Sequence, residues 1–283
     1  MTFPPWPLSN LSGTNLNEGP RKHLSYWSWT TDSAELLDPL FPDAAPEFIV
    51  HLEKTPFRKD DSGDWRRQPR AFLYCAAYKT VELSIREPMR LFAIRFRPWG
   101  VGMFSSTAMS QMLDREVLPG NAFSSLGLDL ERAIREASGD QERVDRVNAM
   151  LSSVVQQETP FRTRLDKLLN ATGGGLCSSA QMAQELFMSN RSFQRLWNDV
   201  VGLQPRRYVQ LMRFHRALEM IEAGVALKEI AAACGFSDQA HMARQIRSIA
   251  DVSPSILQRR LGDAVYQELY ASRPNAPWLP NKA

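Results

Sequence analysis

The sequence predicts an α+β protein: a small β-sheet or barrel domain with flanking helices, then an all-α domain with two helix-turn-helix units joined by a long helix. Three observations carry this. Apolar residues alternate with period two between about 47 and 97, the spacing turns helical after 105, and one helix–turn–helix pattern occurs twice in the last third. The expected division is 1–110 for the β-domain, 111–157 for a helical connector, 158–262 for the paired units and 263–283 for a tail.

Residues 1–20 are rich in Pro, Asn, Ser and Gly and read as an irregular lead-in. Phe48, Val50 and Leu52 alternate, as do Val81, Leu83 and Ile85, then Phe92, Ile94 and Phe96, the mark of half-buried strands. Between them Arg58–Arg70, polar and holding Gly63 and Pro69, reads as a surface loop, and Pro98-Trp99-Gly100 closes the last strand. Leu126, Leu130, Ile134 and Ala137, then Val144, Val147, Leu151 and Val154/Val155, fit amphipathic helices. Three readings stay open for them: a connector, a dimer surface, or helices packed on the sheet. The Pro-rich run Arg273–Pro280 reads as irregular.

In the first repeated unit, Met182, Ala183 and Leu186 face inward on a short helix, and small Ala183 lets the next helix cross closely. Ser189 is the expected N-cap of that next helix. It buries Phe193, Leu196, Trp197 and Val200, and its other face carries Asn190, Arg191, Gln194, Arg195 and Asn198. In the second unit Leu227, Ile230 and Ala231 are the inward set, Gly235 supplies a positive-φ turn and Ser237 is the expected cap. Met242, Ile246 and Ile249 form the second inward stripe, leaving Gln239, His241, Arg244, Gln245 and Arg247 elsewhere. The expected caps are 237 − 189 = 48 residues apart. A helix from about Pro205, with Pro in its first turn, links the units.

Charge agrees with this division. Residues 158–262 hold fourteen Lys/Arg against nine Asp/Glu, so +5, while residues 1–157 hold eighteen against twenty, so −2. The basic excess therefore lies where Arg, Gln and Asn, the side chains suited to phosphates and base edges, recur on helix faces.

Residues 158–262 resemble the DNA-binding domain of the AraC/XylS family of transcription regulators. The motifs are Ser189–Trp197, Gly202-Leu203-Gln204-Pro205-Arg206-Arg207-Tyr208, Ile230-Ala231 through His241, and Val252-Ser253-Pro254-Ser255. Met242 and Ile246 depart from the family's aromatic core positions, and Asp251 from its closing glycine. More loosely, residues 23–104 resemble the pseudo-cupin-like sensor domains fused to some of these regulators, through Tyr26-Trp27-Ser28-Trp29, Pro42-Asp43 through Val50, and Phe96-Arg97-Pro98-Trp99-Gly100.

The resemblance implies a sequence-specific regulator of double-stranded DNA, responsive through its N-terminal domain. The DNA-binding set is Asn190, Arg191, Gln194, Arg195, Asn198, Arg206, Arg207, Gln239, His241, Arg244 and Arg247. RNA polymerase, a small-molecule effector and a second copy of the chain are the further partners it admits. Arg206 and Arg207 are read either as phosphate grips or as ordinary surface charge, and Tyr26, Trp27 and Trp29 either as a ligand pocket or as core.

Two other function classes were weighed. An enzyme on a cupin-like fold needs clustered His and carboxylate ligands, but the N-terminal half has only His23 and His51, and no nucleophile or phosphate-loop motif occurs. No catalytic residue, cofactor or metal is expected. A protein-only interaction module would bind without strong salt dependence. Three scattered cysteines, no apolar run of membrane-span length and no secretory leader point to a soluble cytoplasmic protein.

Overall fold

The computed structural model describes residues 24–31, 35–154, 159–171 and 178–260. The expected lead-in and tail, His23 and Cys177 lie outside them. Eight strands form two antiparallel four-stranded sheets. Sheet one has the order β1 (Leu24–Thr31), β8 (Met89–Phe96), β3 (Pro46–His51), β6 (Ala71–Cys75). Sheet two has the order β2 (Glu35–Leu40), β7 (Val81–Ile85), β4 (Phe57–Lys59), β5 (Trp65–Arg67).

Sheet one is covered on both faces. Its outer residues, Phe48, Val50, Leu73, Phe92, Ile94 and Phe96, share a buried core with α2 (Ser125–Glu136) and α3 (Asp140–Val154), which follow the short α1 (Pro119–Phe123). Of the three open readings for these helices, packing on the sheet is what the residues do. Polar ties fix them: Ser28 donates to Asp140 at 2.7 Å, Tyr26 to Asn148 at 2.8 Å, and the Arg143 guanidinium bonds the Ile134 and Ala137 carbonyls. The inner face packs Trp27, Trp29, Phe72, Tyr74, Leu91 and Ala93 toward sheet two.

One expectation is corrected. Within the stretch read as a surface loop, β4 and β5 form a hairpin whose turn is closed by Asp60, which accepts from the Ser62 and Asp64 amides, with Gly63 at φ +88°. Strands of three residues bearing Arg and Lys are too short and too polar to show a period.

The C-terminal half is helical: α4 (Pro160–Ala171), α5 (Ser179–Glu185), α6 (Asn190–Val201), α7 (Pro205–Glu222), α8 (Leu227–Ala233), α9 (Gln239–Ala250) and α10 (Pro254–Arg260). Its core is not its own. Phe41, Ala44, Ala45, Ala77 and Trp99 of the β-domain belong to the same buried cluster as Trp197, Tyr208, Phe214 and Met242. Cys75 and Cys234 are free and buried, and burial raises both thiol pKa values, that of Cys234 to about 11. Neither is poised as a thiolate.

Candidate nucleic-acid interface

Each helix-turn-helix unit is built by local rules. The Ser178 hydroxyl accepts from the Gln181 amide while the Gln181 side chain accepts from the Ser178 amide, a capping box that starts α5. Ser189 caps α6 as expected, accepting from the Ser192 amide, and Gly202 ends it in the left-handed region. Met182, Ala183, Leu186, Phe193, Trp197 and Val200 are buried, and Leu196 is half-buried. The Trp197 Nε1–H donates to the Leu203 carbonyl at 2.7 Å, and its ring meets Tyr208 edge-on at 5.0 Å. These contacts fix the rotation of α6 about its axis, so Asn190, Arg191, Gln194, Arg195 and Asn198 all stand exposed on the opposite side.

The second unit follows the same plan with two corrections. Asp238, not Ser237, caps α9: its carboxylate accepts from the His241 amide at 2.6 Å, while Ser237 Oγ donates to Asp238 at 3.1 Å. Those hydrogen bonds hold the Asp238 carboxyl below its ordinary pKa, chiefly through the His241 amide. Aspartate wins because it accepts as an anion at the positive end of the helix. Gln245, expected outside the inward stripe, is 8% exposed beside Met242, Ile246 and Ile249.

Gln239, Arg244 and Arg247 are exposed on α9, Arg247 in its last turn. His241 is half-buried. Its Nδ1 accepts from the Ser237 amide at 3.3 Å, which leaves the ring proton on Nε2, and its ring stands edge-on to Phe236 at 5.6 Å. Met242 and Ile246 are fully buried at the family's aromatic positions, and Asp251 holds the closing left-handed position at φ +58°. One feature escaped sequence reasoning. Phe187 occupies the turn position that Gly235 fills in the second unit, at φ +54°, with 93% of its surface exposed.

Arg206 and Arg207, adjacent in sequence, part company in the structure. Arg206 is exposed in the first turn of α7. Arg207 turns to the β-domain, donating to the Ala77 carbonyl at 3.0 Å and the Tyr78 carbonyl at 3.4 Å, above the Tyr78 ring. Its guanidinium is therefore committed to the domain seam in this conformation, which corrects its expected place among the phosphate contacts.

The rest of that seam lies on the same helices. His215 of α7 donates Nε2–H to the Pro42 carbonyl at 2.9 Å, and Phe214 meets Phe41 edge-on at 5.2 Å. Buried Arg97 pairs with Asp166 of α4, and Arg162 donates to the Gly102 carbonyl at 2.9 Å. Behind the Pro42 carbonyl, Asp43 and Glu47 each hold the Arg95 guanidinium at 2.5 Å, inside the β-domain. Burial lowers the pKa of His215, so the ring at this contact is neutral.

The fold and exposed faces define a class, a β-domain docked on a paired helix-turn-helix domain. Residues 182–260 match the family model described as a helix-turn-helix domain, and residues 22–118 match one described as a domain of unknown function (DUF6597). By its C-terminal half the chain is an AraC-type helix-turn-helix protein.

Among curated proteins it is similar to the probable transcriptional regulator LumQ of Photobacterium leiognathi, with 24% identity over 155 residues, covering 54% of this chain and 56% of that one. It is also similar to an HTH-type transcriptional regulator of Mycobacterium tuberculosis, with 35% identity over 82 residues, or 29% of this chain and 32% of that one. The matches thus span about half and about a third of those relatives' lengths. Among solved structures, ToxT of Vibrio cholerae aligns over 85% of this chain and 100% of its own, with 12% identity and a TM-score of 0.46.

No helix among the described residues is long and apolar enough to cross a membrane, and no group of three or more His, Cys, Asp or Glu among them is placed to hold a metal ion.

Proposed function

We propose that the chain is a sequence-specific, double-stranded-DNA-binding transcription regulator that acts by binding and not by catalysis, with its β-domain serving as the signal-responsive part. One observation carries this reading: the exposed Arg, Gln and Asn faces of α6 and the polar face of α9 are held by one continuous helix, α7, within a single core. Two helices so fixed can enter successive major-groove segments on one DNA face, about 34 Å apart.

In this reading Arg191, Gln194 and Arg195 read base edges, with Asn190 and Asn198 beside them. Arg206 and Arg247 grip backbone, and Gln239, His241 and Arg244 form the second, less basic reading set. The first unit carries more of the sequence discrimination. The β-domain spans about 1–110, with residues 111–157 leading to the DNA-binding domain at 158–262. Its hold on α7 through the Pro42, Ala77 and Tyr78 carbonyls supports a route by which a small-molecule effector alters DNA affinity. The cytoplasm, RNA polymerase and a second copy of the chain complete the setting this reading implies.

The test is selection of genomic fragments bound by the full chain, followed by titration of the selected duplex with salt. The expected result is an enriched motif whose affinity falls linearly with salt on logarithmic axes. Absence of any enriched sequence, with affinity insensitive to salt, would sink the reading in favour of a protein-binding module.

A further inference from the structure

The interior of the β-domain is not filled as the rest of the molecule is. Ile49 sits on β3 between two hydrogen-bonded neighbours, paired with Ala93 of β8 on one side and Phe72 of β6 on the other. Its chain neighbours Phe48 and Val50, facing the helices, are fully buried. Ile49 itself, facing sheet two from the middle of sheet one, remains partly exposed. So does Leu83 on β7, although Val81 and Ile85 on the same face are buried. A central inward residue can be accessible only if the facing sheet leaves space over it. Ala93, paired with both Trp27 and Ile49, contributes only a methyl group to that row and deepens the hollow.

The same region holds donors with nothing to donate to. Trp27 and Trp29 are 5% and 4% exposed, yet neither indole N–H has a hydrogen-bond partner among the described residues. Buried donors are paired in the great majority of native structures, and a tryptophan beside open space commonly pairs with a ligand or water. The formal charges around the gap are already matched: Arg95 by Asp43 and Glu47, and Arg58 by Glu116 at 3.5 Å and the Tyr74 hydroxyl at 2.8 Å. His51, buried beside Phe72, is neutral because burial lowers its pKa to about 4. A ligand bringing its own charge would find no uncommitted counter-charge among these groups.

We propose that the gap between the two sheets, bounded by Trp27, Trp29, Ile49, Phe72 and Leu83, binds an uncharged, flat ligand with hydrogen-bond acceptors, of the chemical class of aromatic ketones and lactones. Its role as effector rests on the regulator reading above. The site adjoins the seam directly, because Arg95 lies on the same inner face and holds Asp43, next to the carbonyl that receives His215.

The experiment uses the full chain with its tryptophan indoles labelled with nitrogen-15, Trp27→Phe and Trp29→Phe assigning the two signals. Three probes share one ring system and differ in charge: 1-acetonaphthone, 1-naphthoate and 1-naphthylmethylammonium. The neutral ketone shifts one or both indole signals to saturation and binds at least about tenfold more tightly than either ion. Ile49→Trp and Ala93→Leu, which fill the gap, abolish that shift without lowering the melting temperature. The proposal is overturned if none of the probes moves these signals, or if an ion binds as well as the ketone. It is equally overturned if both filling variants lose stability, since that would show the space to be packed already. DNA affinity measured on the same samples separates the two ideas. Loss of DNA binding as such refutes the regulator and leaves the site standing. Ketone binding that leaves DNA affinity unchanged removes the effector role.

Discussion

Replacing Gly202 by alanine tests whether the recognition helix of the first unit is anchored on the β-domain. Gly202 ends α6 at φ +74°, and a Cβ there would lie 2.5 Å from both Met109 C and Ser110 N, main-chain atoms of the 3-10 turn Met109–Gln111. Two costs follow. An L-residue in the left-handed region is disfavoured by about 1–2 kcal/mol. The contact adds an overpacking cost of about 1–3 kcal/mol, because the obstacle is backbone and cannot swing aside as a side-chain end would. Gly224 supplies the control: its φ is +72°, and a Cβ there would meet nothing within 4 Å. Gly224→Ala should therefore lose only about 1–2 kcal/mol, and Gly202→Ala about 2–5 kcal/mol. Urea unfolding of the full chain measures both, and the difference is the domain contact. Equal losses for the two variants would refute the docking of α6 on the β-domain.

Other expectations follow from the same geometry. Asp251→Gly, and separately Phe187→Gly, each relieve a side chain at positive φ and should raise stability by about 0.5–1 kcal/mol, read as a higher melting temperature. Both buried histidines have pKa values below the ordinary 6.5, so the unfolded chain takes protons first. Stability is then fully present above about pH 6.5 and falls toward pH 4, by roughly 3 kcal/mol for His51. His51→Gln should flatten its share of that fall in urea midpoints measured at pH 7 and 4.5. Arg195→Ala should lose about 1–3 kcal/mol for the selected site and relax preference at one base pair, whereas Arg206→Ala should weaken all sequences alike. Arg207→Ala should instead loosen the seam, seen as a lower unfolding midpoint of the full chain.

Residues buried on one face were legible as strands, and residues buried on two were not. Val81, Leu83 and Ile85 alternate with polar neighbours and were read directly. The run Leu24–Thr31 lies in a sheet sandwiched between helices and a second sheet, so Leu24–Trp29 are all buried and show no alternation. Its aromatic residues were visible, but their assignment to opposite faces, Tyr26 to the helices and Trp27 and Trp29 to the interior, needed the register with β8.

The helix-turn-helix units were legible almost residue by residue, because caps, turn and inward stripe all fall within about twenty residues of one another. The seam was not. Arg207 and the carbonyls it bonds are 130 and 129 residues apart, and no local pattern marks a main-chain acceptor. Asp238 outcompeting Ser237 as the cap likewise turns on a backbone angle and not on residue type, since both are good caps.

Hydroxyl-radical footprinting of the full chain on its selected DNA tests the central claim most directly, that one helix holds two reading faces against one duplex. The account predicts two protected patches on the same face, about one helical turn apart, with Arg195→Ala weakening one and Arg244→Ala the other. A single patch, or protection that neither substitution alters, would contradict it.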